Sequence, residues 1–289
     1  AYTGIYTHHK TLSQKQMQRY FETVNNTAPK YYETKLTTAG PLSIHYSRNN
    51  FPTTNIEVYT VNYYDNYTFN RAGTGTSVRN VYGINSTTRL KGLPTGSKVK
   101  VLGTNKWITN VHYYDDKARP IYVYAKNDYL LSSDIVKSKL DFVGRVIETT
   151  SIHTKIDDNL PTITTIDKFE YDHVGRLKKQ TQKIGGQAEE VIVYNIYDKL
   201  GQLKKKGVGG KTTQSRLQTV DYKYNVRGWL THMNDTNTNN SAITLGSRDL
   251  FGFEINYNRP SSGGKALFNG NISQTLWKST SLHTTRNPI

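Results

Sequence analysis

Two stretches of this chain are nearly the same phrase. Phe169–Lys179 reads FEYDHVGRLKK and Asn195–Lys205 reads NIYDKLGQLKK, so Asp172 recurs as Asp198. KLDFVGRV, from Lys139 to Val146, keeps Asp141 and Gly144 but has Leu140 in place of tyrosine. Plain Tyr-Asp pairs end at Asp65 and Asp115. YKYNVRGWL, Tyr222–Leu230, is read as a displaced copy with Tyr-Asn and Gly228, and Phe253–Asn258 is a weaker echo. From Asp115 through Asp141, Asp172 and Asp198 to Asn225 the steps are nearly even, the one into Asp172 being the longest. The gap from Asp65 to Asp115 is close to two such steps and predicts a degenerate repeat near Val81–Gly83. A period of roughly 25–30 residues implies an array of supersecondary units rather than one wrapped core.

Each period accommodates two strands of about eight to ten residues and two turns. In the phrase, tyrosine ends a strand. Aspartate accepts the backbone N–H two residues on. Glycine supplies the positive φ of a tight hairpin, and Arg-Leu begins the return strand. Asp65, Asp115, Asp141, Gly144, Asp172, Gly175, Asp198, Gly201 and Gly228 are therefore assigned as structural turn residues.

Strand patterns also cover Asn55–Asp65, Lys98–Gly103, Lys106–Asp115 and Pro120–Ala125, separated by the turn clusters NRAGTGTS, GLPTGS and DDKAR. One helix is expected over about 11–24. Met17, Tyr20, Phe21 and Val24 form its apolar stripe, and Ser13 with Gln16 forms a capping box. The strand faces are not oily. Along Arg176–Lys183 both alternating sets are polar apart from Leu177, and apolar residues are 35% of the chain, against the usual ~45–50%. The 22 tyrosines suit a sheet wet on both sides, held by cross-strand pairs of about 0.2–1 kcal/mol each. The expected fold is all-β: stacked antiparallel β-hairpins in a curved, single-layer shell or ribbon, with one short N-terminal helix. Residues 1–54 are the lead-in with the helix, and 55–289 the repeat array.

The absence of cysteine excludes disulfides and thiolate metal sites. The +16 formal charge favours anionic partners, but the lysines spread along the repeats, as on a solvated surface that deters edge pairing. No specific nucleic-acid partner is assigned. No apolar run approaches the ~18 residues of a membrane helix. GVGGKTT, Gly207–Thr213, lacks the first glycine of a phosphate loop and reads as a hairpin tip. Gly73–Gly75 reads as a loop. His8 and His9 are adjacent, and His45, His112, His153, His173, His232 and His283 are scattered. Asp115-Asp116 and Asp157-Asp158 are turn pairs, although acidic turns are also Ca²⁺ ligand types. Glu189, Glu190 and Glu254 lie in strand patterns, and no Gly-x-Ser-x-Gly elbow is present. No catalytic residue, cofactor or metal ligand is assigned, and no enzymatic activity is expected.

YDHVGRL and YDKLGQL, together with the flanking phrases GLPTGSKVKVLGTNKWITNVHYYDDKARP and RGWLTHMND, closely resemble the YD-repeat, or Rhs, family, in particular Rhs-repeat proteins of Bacteroidota. The resemblance covers most of the chain. It implies a β-ribbon spiralling into a hollow shell that often encloses a toxin or other cargo. It also implies a secreted or cell-surface location, with the type IX route as one means of export. The family's Rhs core motif, with its cleavage aspartates, is not found here, so self-cleavage and toxin activity are not assigned. The ends of the sequence suggest a piece of a longer protein. Its expected partners are the remainder of the same polypeptide or an associated surface or secretion protein, and possibly an enclosed cargo domain. The expectation is a structural shell segment that encapsulates, carries or displays another polypeptide. The alternative is a surface module binding glycan or an anionic polymer through Trp107, Trp229, Trp277, tyrosines and basic residues.

Overall fold

The computed structural model describes residues 2–6, 13–25, 32–40, 42–50, 55–75, 78–155, 160–235, 243–261 and 263–280. Asp157-Asp158, His8, His9 and His283 lie outside them. The elements are β1 (Tyr2–Tyr6), α1 (Gln14–Asn25), β2 (Ile56–Tyr64), β3 (Asn80–Val81), β4 (Ile84–Asn85), β5 (Pro94–Lys100), β6 (Trp107–Tyr114), β7 (Pro120–Asn127) and β8 (Ser132–Leu140). They continue with β9 (Val146–Lys155), β10 (Ile163–Tyr171), β11 (Leu177–Ile184), β12 (Glu190–Tyr197), β13 (Leu203–Val208), β14 (Gln218–Tyr224), β15 (Leu230–Met233), β16 (Phe251–Asn256) and β17 (Gln274–Ser279). Fifteen strands form one sheet in chain order, β1-β2-β5 and onward to β17, and β3 pairs only with β4. The protein is all-β with one short helix. The chain divides into two compact units, 1–166 and 167–289.

The helix begins as the capping box requires. The Ser13 backbone N–H donates to Gln16 Oε1 at 2.8 Å, and the Gln16 N–H donates to Ser13 Oγ at 3.4 Å. Of its apolar stripe, Met17 is half-buried and Phe21 exposed; the side chains of Tyr20 and Val24 lie outside the described residues. The lead-in also contributes a strand, because β1 pairs with β2 from Tyr2–Val61 to Tyr6–Ile56.

Unit 1 departs from the expected single layer. One face of β2, β5, β6 and β7 is roofed by residues 66–75 and 78–92, between Asp65 and Leu93. Tyr67, Phe69, Val81 and Leu90 of the roof are buried with Val61, Tyr63, Val111, Tyr113, Ile121 and Tyr122 of the strands. Phe69 stacks on Tyr63 with centroids 4.2 Å apart, and Tyr67 on Tyr113 at 4.7 Å. Phe69 lies so close to β5 that a Cβ on Gly96 would stand 2.5 Å from its ring. That explains why the turn-like GLPTGS is largely strand: its last glycine makes room for an aromatic ring.

The segment 32–50 completes this core with Ile44 and Tyr46, the latter stacked on Tyr63 at 5.7 Å. Its loop is pinned by Glu33, which accepts N–H bonds from Asn49 and Asn50.

Unit 2 keeps the thin form. Among its described residues only Val191 and Ile243 are buried apolar side chains. Polar pairs take their place, such as Lys179 of β11 with Glu170 of β10 at 2.8 Å and Lys168 of β10 with Glu189 of the β11–β12 loop at 2.7 Å. Asp167 accepts from both Gln180 and Gln182. GVGGKTT begins at the end of β13 and runs into the loop before β14, a strand and not the helix of a phosphate site.

Candidate functional site: the stacked corners and a buried His-Asp-Glu cluster

The recurring phrase builds one corner several times. At Asp141 the backbone N–H donates to Arg145 O at 2.9 Å, and the Gly144 N–H returns to Asp141 O at 3.1 Å. Asp141 Oδ1 accepts the N–H groups of Val143 and Arg145, at 3.0 and 2.9 Å, and Oδ2 accepts Arg145 Nε at 2.7 Å. Asp172 repeats these bonds with Val174, Gly175 and Arg176. Asp198 repeats the backbone set with Leu200, Gly201 and Gln202, and Asn225 does so with Arg227, Gly228 and Trp229. Gly228 is therefore not displaced: it stands third after Asn225, as Gly175 does after Asp172. The φ angles of Gly144, Gly175, Gly201 and Gly228 are 98°, 88°, 88° and 80°, the left-handed seat that follows a turn in a three-residue hairpin loop.

The corner at Asp115 has the same bonds, with Arg119 Nε on Asp115 Oδ2 at 2.7 Å, but Ala118 fills the left-handed seat at φ 60°. Burial opposes the Asp115 charge. The Arg119 guanidinium and the backbone N–H groups prevail and hold the carboxyl below the usual carboxylate range. Asp141 and Asp172 are held down by the same balance.

Asp65 forms the same corner in opened form. Its N–H donates to Leu93 O at 3.1 Å, and its Oδ1 accepts the Gly92 N–H at 2.6 Å. Gly92, at φ 81°, takes the left-handed seat. The segment 66–91 thus stands where each closed corner has only a pair of residues between its Asp or Asn and that seat. Without the insertion the gap from Asp65 to Asp115 is one ordinary period and not two. A hairpin does occur at Val81–Gly83, with Tyr82 and Gly83 both at positive φ, but it belongs to the inserted roof and not to the sheet. Strand register is the same at opened and closed corners. The residue before the Asp or Asn pairs with the one after the corner, and the next is bulged out: Tyr64–Pro94, Tyr114–Pro120, Leu140–Val146, Tyr197–Leu203 and Tyr224–Leu230.

Two further features join neighbouring corners within a unit, and neither was read from the sequence. The tyrosine hydroxyl of the phrase reaches back one hairpin. Tyr114 donates to Pro94 O at 2.6 Å, Tyr197 to Leu177 O at 2.9 Å, Tyr224 to Leu203 O at 3.0 Å and Tyr257 to Leu230 O at 2.9 Å. Each accepting residue sits two positions before the ladder to the following strand begins, at Gly96, Lys179, Lys205 and His232. The hydroxyl thus caps a carbonyl that the ladder leaves over.

The second feature reaches forward. A Cβ on Gly144 would meet Arg119 Nη1 at 3.1 Å, one on Gly201 would meet Arg176 Nη1 at 2.9 Å, and one on Gly228 would meet Gln202 Nε2 at 3.0 Å. In these three cases the fourth residue after the aspartate of one corner lies against the glycine of the next. Arg176 also stacks over the Tyr197 ring at 4.3 Å. The signal that could have exposed this is the basic or amide residue four places after the aspartate, at Arg119, Arg176 and Gln202.

Other polar groupings are few. On the open face of β8 and β9, His153 Nδ1 lies 2.6 Å from Asp134 Oδ1, in a depression that Ser151 also lines. No hydrogen bond joins Ser151 to His153, so this is not a nucleophile–base pair. The second grouping was hidden by sequence distance. His232 of β15 is the direct cross-strand partner of Glu254 of β16, and Asp235 follows β15 closely. One ligand atom from each lies within 4.8 Å of the others. Imidazole nitrogen with carboxylate oxygen is a donor set for a divalent ion. No protein-family model matches the chain, and no curated protein matches it.

Proposed function

We propose that this chain is a stretch of wall in a YD-repeat shell of a secreted or surface protein, which encloses, carries or displays another polypeptide. The observation that carries this reading is the locking of neighbouring corners within each unit, by the hydroxyls of Tyr114, Tyr197, Tyr224 and Tyr257 behind and by Arg119, Arg176 and Gln202 ahead. Such locking fixes hairpin against hairpin and presents no reactive group. The mechanism is containment: a wall without gaps keeps proteases out and holds cargo apart from its target. The alternative, a glycan or anionic-polymer surface, needs a stripe of free aromatic rings. Tyr114, Tyr197, Tyr224 and Tyr257 are engaged with backbone carbonyls instead, and Lys168, Lys179 and Lys205 face Glu189, Glu170 and Asp221. Both observations favour the wall.

The test is limited proteolysis of the complete native protein, read by mass spectrometry. A segment outside this chain should resist digestion while the corners are intact and become cleavable when they are broken by Gly201→Val. Equal cleavage of every segment in both proteins would overturn the proposal.

A further inference from the structure

We propose that His232, Asp235 and Glu254 bind a divalent cation of the zinc class. The site lies where β15 and β16 pair, outside the repeated corner bonds. Glu254 is 1% exposed and the Asp235 side chain 2%. His232 Nε2 stands 3.9 Å from Asp235 Oδ2, too far for a hydrogen bond but suited to sharing an ion.

The surrounding bonds orient these groups. Asn256 Nδ2 donates to Glu254 Oε1 at 2.8 Å, and the Thr244 N–H donates to Asp235 Oδ1 at 2.9 Å. These are the outer contacts that hold metal-binding carboxylates in place. The burial of Glu254 points to a cation as its partner. Burying a carboxylate is costly unless its charge is compensated, and among the described residues no lysine or arginine pairs with Glu254.

One nitrogen and two oxygen donors select the class. Ca²⁺ and Mg²⁺ take oxygen ligands, whereas zinc-class ions take imidazole with carboxylate. Three protein ligands leave a fourth position for water.

The experiment titrates the metal-stripped chain with Co²⁺ and follows its d–d absorption, then displaces it with Zn²⁺. The native chain should bind one ion with the intense bands of four- or five-coordinate cobalt, and Ca²⁺ and Mg²⁺ should not compete. Glu254→Gln, which keeps shape and removes charge, and His232→Ala should each weaken binding about 100-fold or more, since loss of an outer contact alone costs about 10–100-fold. Circular dichroism checks that both variants remain folded. A native spectrum no different from aqueous cobalt overturns the proposal without reference to any variant. Equal affinity in native chain and folded variants overturns it as well.

Discussion

The two units answer the same problem differently. In unit 1 a thin sheet is thickened by an excursion that brings its own aromatic residues. Tyr63 and Tyr113 become almost wholly inaccessible there, at 1% and 0% exposure. In unit 2 the strands are more polar, and among the described residues they have no such cover. They rest on polar side-chain pairs, the caps of Tyr197, Tyr224 and Tyr257, and the seating of Arg176 on Gly201 and Gln202 on Gly228. Hydrophobic burial is thus an addition at one place in this ribbon, and the corner chemistry is common to both units.

The largest expected effect lies in the covered unit. Tyr113→Ala removes a fully buried ring stacked on Tyr67 and should cost about 3–5 kcal/mol. Tyr194→Ala, half-buried in unit 2, should cost about 1 kcal/mol, roughly half of a full side-chain burial. Urea unfolding followed by hydrogen exchange, peptide by peptide, reports the units separately. Equal losses would remove the distinction between covered and thin sheet.

Next come the corners. Gly201→Val meets both a positive φ and the Arg176 guanidinium, whereas Gly103→Val at φ 74° meets open space. The second should lose about 1–2 kcal/mol from the backbone alone, and the first measurably more. Gly175→Val, at φ 88°, should also lower the denaturant midpoint, and an unchanged midpoint would refute the corner's need for glycine.

A smaller loss, about 1 kcal/mol, is expected from Tyr224→Phe, which uncaps Leu203 O. Tyr64→Phe, at an exposed ring with no such bond, should stay within about 0.5 kcal/mol. Comparing their thermal midpoints isolates the cap.

The last prediction concerns acid. The carboxyl of Asp115 is depressed in the folded chain, so its stabilisation is present above the ordinary carboxylate range and is lost as pH falls through its folded value. Asp115→Asn should therefore unfold more easily than the native chain at pH 7, with the difference closing below about pH 4. A difference constant with pH would show that the charge is not what Arg119 holds.

The corners were legible because their chemistry is local: aspartate, two residues, then a residue at positive φ. The strands were legible from alternation. What escaped depends on contacts far apart in the chain. Ala118 occupies a seat normally given to glycine, so composition alone could not mark it. The corner at Asp65 has its glycine as far off as Gly92, and the long gap therefore passed for two periods. Strand patterns showed no second layer because the covering aromatics, Tyr67 and Phe69, lie in loop-like sequence. His232 and Glu254 meet only through the pairing of β15 with β16, which no linear spacing reveals.

The opened corner at Asp65 and Gly92 has a consequence for how such chains change. Polypeptide leaves and returns there while β2 and β5 keep the pairing found at the closed corners of Asp115, Asp141, Asp198 and Asn225. Splicing is thereby insulated from register: what is grafted at one bend need not disturb the next. Decoration and length become separable variables, and a lineage can acquire new surfaces bend by bend on an unaltered ribbon.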